Sequence, residues 1–272
     1  MQKVKLADIR DEEPASQSGK ANSYGVVRVG EIMSDGIGAL FANFFSFTFV
    51  SLVIYLPIIL WAAISEDGLA ALRGDFNQVG FLNFGIALFL TMVAGFIAYA
   101  AIVYGSLEHF ASRNKGLPEI ISGGISSLIP VIILSIAVVL LTMLGYILLV
   151  IPGIMVSVAL YVAVPAVVAE KMPISDAFQR SLDLTDGFRW SVFGVVILTG
   201  IAGQILAFIL SFAENSLLTS GDIGSLYIYL ALLALQMAIT TALSGAVSAA
   251  TYSHLRIAKE GVSADNIAQV FS

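Results

Sequence analysis

His109 and His254 are the only imidazoles in the chain, and each has a charged neighbour, Glu108 or Arg256. Imidazole beside a charged group is the raw material of acid–base and metal chemistry. With Glu170 these residues would form a polar rim of Glu108, His109, Glu170 and His254, provided the second, fourth and sixth spans of a bundle lie side by side. The sequence around them favours a quieter role, helix-end capping or interfacial anchoring. There is no H-E-x-x-H spacing, and two histidines without any cysteine make a thin ligand set. A phosphate-cradling loop is also missing, since no glycine cluster is followed by Lys and Ser or Thr. We therefore expect no catalytic, cofactor-binding or metal-ligating residue and no cofactor.

Other candidates are contacts rather than catalysts. Arg180 and Arg189 bracket Asp183 and Asp186, which offers pairing along a helix or attraction to anionic headgroups; with Trp190 they form a candidate lipid or partner contact. Gln204 and Gln236 are polar inside apolar runs, where hydrogen bonding between helices is the expected role ahead of solute contact. Ala242, Ala246 and Ala250 recur every fourth residue and would let one helix pack closely on another, in the same chain or a partner.

The elements that must position these residues are set by composition. Of 272 residues, 58% are hydrophobic and 12% charged, with a mean hydropathy of +0.93, far from the usage of soluble domains. Six predominantly apolar runs reach the length of about 20 residues that a bilayer core requires. They lie near Ala39 to Ile64, Phe81 to Leu107, Ser126 to Leu149, Pro152 to Ala169, Phe188 to Ala213 and Ser225 to Ser253. Beyond their first turns none contains Asp, Glu, Lys, Arg or His, which weakens any proton-driven mechanism. Gly145, Pro152 and Gly153 divide the long stretch from Leu128 to Ala169 into two spans with a tight turn.

Basic residues alternate by side. Lys3, Lys5, Arg10, Lys20 and Arg28, then Arg113 and Lys115, then Lys171, Arg180 and Arg189, and finally Arg256 and Lys259 fall on one side, whereas Arg73 alone falls on the other. The positive-inside rule then places both termini in the cytoplasm. We expect a polar cytoplasmic tail over 1–23, a six-span membrane domain over 24–258 and a short cytoplasmic tail over 259–272. Amphipathic stripes precede the odd-numbered spans: Val29, Ile32, Met33, Ile37 and Leu40; Ile121, Ile125 and Leu128; Ile174, Phe178 and Leu182. The expected fold is all-α, with six transmembrane helices arranged as three hairpins, each preceded by a short interfacial helix. A net charge of −6 offers no nucleic-acid surface, so the expected partners are membrane lipids and other membrane-protein subunits.

The segment Ile151-Pro152-Gly153-Ile154, then Ala163-Val164-Pro165, Glu170 and Ala177 through Thr185, resembles the YciC-like bacterial inner-membrane proteins. It is also similar to the membrane domain attached to some glycerophosphodiester phosphodiesterases. Arg180-Ser181 with Leu184-Thr185 carries most of the likeness, and Leu255-Arg256 with Lys259-Glu260-Gly261 adds to it. The resemblance implies six spans and residence in the bacterial inner membrane, but supplies no catalytic residues. The phosphodiesterase barrel has no counterpart here.

On this reading the first expectation is a non-enzymatic scaffold, assembly factor or accessory subunit of a membrane complex. The alternative is a transporter or channel for a small neutral or lipophilic solute, which Pro57, Pro130 and Pro165 would serve by breaking helices. A lipid-modifying enzyme built on the polar rim ranks behind both.

Overall fold

The computed structural model describes residues 26–72, 79–112, 116, 118–120, 122, 128–220 and 222–261. Its helices are α1 Val29–Ala42, α2 Phe44–Ile64, α3 Glu66–Leu72, α4 Phe81–Phe110, α5 Leu128–Leu148, α6 Val150–Ala159, α7 Ala163–Glu170, α8 Ile174–Thr185, α9 Arg189–Ser220 and α10 Ile223–Glu260. Six of these, with α6 and α7 together forming the fourth, are long and apolar enough to cross a membrane. The protein is thus an all-α, six-span integral membrane protein, as its hydropathy requires. Helices are forced on these runs because lipid offers main-chain N–H and C=O groups no partner.

Large apolar side chains fall on both sides of the fold, with Phe47 and Tyr252 fully buried and many others outside. Large apolar residues such as Phe45, Phe81 and Ile147 face outward, while alanines 98, 238, 242 and 246 are fully buried. Lipid tails solvate Phe and Leu as well as a protein core does, so close backbone approach at small residues becomes the main gain from packing. Helix α10 is the hub and packs on α1, α2, α4 and α9. The stripe of Ala242, Ala246 and Ala250 is spent on this internal contact. Contact there is close enough that a Cβ on Gly245 would lie 2.8 Å from Ile102, and one on Gly36 2.8 Å from the Val247 main chain.

The first amphipathic stretch is α1, with Ile32, Ala39 and Leu40 buried against the bundle. It ends at Asn43, whose side-chain amide donates to Ala39 O at 3.0 Å, so the first span begins at Phe44 rather than Ala39. In the second stretch Ile121 and Ile125 lie outside the described residues. The third is α8, but its buried stripe is Ala177, Ser181, Leu184 and Thr185, while Leu182 is exposed. Leu184, at 1% exposure, takes the buried place expected of Leu182, beside small residues that allow close approach.

Acidic groups serve as helix starts at the opposite end of the bundle. Asp222 accepts from the Ser225 N–H at 2.9 Å and caps α10, where a carboxylate also meets the positive end of the helix dipole. Asp67 accepts from Gly80 N at 3.1 Å and from the Asn83 side-chain amide at 2.5 Å, joining α3 to the start of α4.

Candidate intramembrane site

Of the three prolines expected to break helices, Pro57 sits inside an unbroken α2 and Pro130 in the first turn of α5, but Pro165 accompanies a real interruption. The fourth span stops at Ala159 and restarts at Ala163. Pro165 has no N–H to give to the Tyr161 carbonyl four residues back, and the chain tightens there: Ala163 N donates to Leu160 O at 3.1 Å. The interruption places the Tyr161 side chain against the bundle interior at mid-span.

A break inside a bilayer leaves carbonyls in need of donors. Helix α8 supplies one. The Ser181 hydroxyl donates to Ala159 O at 2.8 Å, and the Thr185 hydroxyl, which donates to Ser181 O at 2.8 Å, lies 3.3 Å from the same carbonyl. Both side chains are fully buried. This contact holds α8 against the end of α6 and gives the Arg180-Ser181 and Leu184-Thr185 segment a physical purpose. Ser181→Ala should therefore cost about 1–2 kcal/mol, because it removes the shorter of two hydroxyl donors to a buried acceptor. Unfolding by SDS titration in mixed micelles would measure the loss; Ser175→Ala, at an exposed site, should leave the midpoint unchanged.

At the basic end α8 is held by charge. Arg180 Nη2 lies 2.8 Å from Glu170 Oε1, at the end of α7, and its Nη1 lies 2.5 Å from Glu260 Oε1, at the end of α10. The Tyr252 hydroxyl donates to Glu170 Oε1 at 2.5 Å, Arg256 Nε donates to Glu260 at 3.0 Å, and Lys259 donates to the Asp183 carbonyl. Burial acts to lower the Arg180 pKa, but the hydrogen bonds and charges of Glu260 and Glu170 outweigh it and raise it above its ordinary value. Three helix segments are thereby locked together by one guanidinium.

Above this clamp, at mid-span, two cavities adjoin. The first, about 490 Å³, lies among α2, α4, α5, α6 and α10; the second, about 540 Å³, lies between α9 and α10. Tyr99, Tyr161, Thr240 and Ser244 line both, forming a shared wall. Each volume falls within the range of about 300–1,000 Å³ usual for small-molecule sites. The polar lining is made of hydroxyls and the amides of Gln204 and Gln236; no carboxylate, ammonium, guanidinium or imidazole lines either cavity. Such a site can hold an uncharged molecule by hydrogen bonds and aromatic faces, and has no counter-ion for a charged one.

The second, fourth and sixth spans do lie side by side, through α4, α7 and α10, but the rim residues take separate partners. Glu170 joins the clamp. His254 pairs with Asp35 of α1 at 2.7 Å. His109 packs edge-on to Phe110, and Glu108 is buried with Oε2 lacking a partner among the described residues. No group of three or more His, Cys, Asp or Glu that could hold a metal occurs among the described residues. Arg180 turns away from Asp183, which instead accepts from Gln179 at 2.8 Å. Arg189 stays near Asp186 at 3.7 Å, and Trp190 is 85% exposed, which leaves it free to meet lipid. The cavities themselves were not foreseen; the nearest signal was the pair of in-span glutamines together with Pro165. Comparison with known proteins adds nothing to this geometry: no family model, no curated protein and no solved structure matches the chain.

Proposed function

We propose that this chain is a transporter or channel that admits a small uncharged or lipophilic solute to its mid-membrane cavities. The observation that carries the reading is the pair of adjoining cavities, lined by hydroxyl, amide and aromatic groups and by no charged side chain. A broken span beside them agrees with it, since transporters build sites where helices are interrupted at the midplane. The expected experiment is flux through proteoliposomes. Glycerol or urea should cross faster than through protein-free vesicles, potassium ions should not, and Ser244→Phe on the shared wall should remove the difference while the protein stays monodisperse. Equal permeability with and without protein across the whole panel would end this proposal.

A second reading, a non-enzymatic scaffold or accessory subunit, is favoured by one surface. The turn between α5 and α6 exposes Ile147, Leu148, Leu149, Val150 and Ile151 in succession, an apolar tip suited to a neighbouring membrane subunit or to lipid. Cross-linking from position 149 in native membranes would give a defined heavier species if a partner covers it. In either case we place the protein in a bacterial inner membrane with both termini cytoplasmic, on the distribution of Lys and Arg and on the YciC-like resemblance. No enzymatic step is proposed, because the polar rim residues are dispersed among separate partners.

A further inference from the structure

We infer that the second cavity is the headgroup subsite for an uncharged, hydroxyl-bearing amphiphile that reaches it sideways from the bilayer, with its tail in the first cavity. The inference rests on the neutral-solute reading and names the class of solute.

The two cavities differ in how much hydrogen-bonding capacity is left over. Several hydroxyls of the first are engaged within the bundle: Tyr55 with Thr241 at 3.0 Å and Ser157 with Ile154 O at 2.8 Å. Its other walls combine the hydroxyls of Ser135 and Thr142 with apolar Met92, Phe96 and Val138, and no amide lines it. In the second, Gln236 Oε1 is buried and has no partner among the described residues, and Gln204 lines the same space from α9. An unmet buried acceptor is costly and is relieved by a donor, such as the O–H of a ligand headgroup. With no cationic residue on the walls, a fatty-acid anion or a phosphate ester would enter without a counter-ion.

The route follows from exposure. Gly200 and Gln204 line the second cavity and are themselves exposed, within a span, so the cavity opens along α9 to lipid tails rather than to water. A Cβ on Gly200 would meet nothing within 4 Å, which marks open space at the mouth. Tyr99 and Tyr161, common to both cavities, stand between head and tail.

The test uses the full chain in phosphatidylcholine nanodiscs with tritiated 1-monooleoylglycerol as the probe. Saturable binding is expected, weakened about tenfold by the near-isosteric Gln236→Leu, slowed in onset by Gly200→Trp, and uncompeted by oleate at alkaline pH. Both substitutions leave close packing intact, which the elution profile of each variant checks. Binding that does not saturate, that ignores both substitutions, or that oleate displaces equally well would overturn the assignment. Glycerol flux without saturable probe binding would sink this inference and leave the neutral-solute reading standing; loss of both would remove the two together.

Discussion

Arg180→Leu is expected to loosen α8 from the bundle and lower stability by about 3 kcal/mol, read as a lower SDS midpoint in mixed micelles. The magnitude follows from what is left behind. Arg180, Glu170 and Glu260 side chains are 22%, 21% and 28% exposed, so removing the guanidinium leaves two mostly shielded carboxylates, Glu170 held by the Tyr252 hydroxyl and Glu260 by Arg256. Fully exposed pairs are worth far less, and fully buried ones more, so the estimate sits between. Arg180→Lys should recover part of the loss, because an ammonium can meet one carboxylate but not bridge two on different helices. Glu170→Gln added to Arg180→Leu should also recover part, by removing an unpaired charge.

The pH dependence separates this from simple loss of packing. A basic group whose folded pKa is raised contributes stability that is complete below the ordinary value and lost only as pH rises through the folded value. Arg180 is such a group, so the native clamp should be level between about pH 6 and 9. Below that range burial acts to raise the Glu260 pKa, but the hydrogen bonds and charges of Arg180 and Arg256 outweigh it and hold it below its ordinary value. The native protein should therefore lose stability as pH falls through the carboxylate range near about pH 4–5, and the leucine variant should lose less. A constant difference between the two proteins at every pH would contradict the electrostatic account.

The spans were legible because hydropathy over about 20 residues reports directly on solvent, and the bilayer overrides local preference. The tight turn at Gly145, Pro152 and Gly153 was legible for a similar reason, since proline and glycine act through their own covalent geometry. What could not be read were relations between distant positions. Arg180 has Asp183 three residues on, the nearer acid in sequence, yet bonds to Glu170 and Glu260 because α7 and the end of α10 bring those carboxylates to it. Ser181 reads as a polar position on an amphipathic helix; only a break 22 residues earlier makes it a cap. The stripe in α8 differs at Leu182 because Leu182 and Leu184 are equally apolar, and only the packing of distant helices decides that Leu184 is the buried one. Ala242, Ala246 and Ala250 showed the reverse virtue, since small residues at that spacing identify a close interface even though they do not name its other side.

Gly145→Val should be the most damaging single substitution in the α5–α6 hairpin, with a loss of about 3 kcal/mol or more and poor recovery from membranes. Leu149 alone, in an extended conformation at φ −166° and ψ 155°, joins the two helices, so they run side by side from the turn onward. A Cβ on Gly145 would fall 2.8 Å from Gly153 Cα and 3.1 Å from Gly153 N, against main chain that cannot rotate aside. Gly145→Ala already meets that contact and should cost about 1–3 kcal/mol. Gly153→Ala meets the Tyr146 ring instead of main chain, and since that side chain is 46% exposed and can move, its effect should be smaller and should shrink further in a Tyr146→Ala background. Gly30→Ala provides the control, because a Cβ there meets nothing within 4 Å and alanine favours helix. Splaying this hairpin would also shift α6 away from α8, so Gly145→Val should weaken the Ser181 bond to Ala159 and make a further Ser181→Ala change nearly free of cost. Additive losses from the two substitutions would show that the turn and the break are independent, against the packing described here.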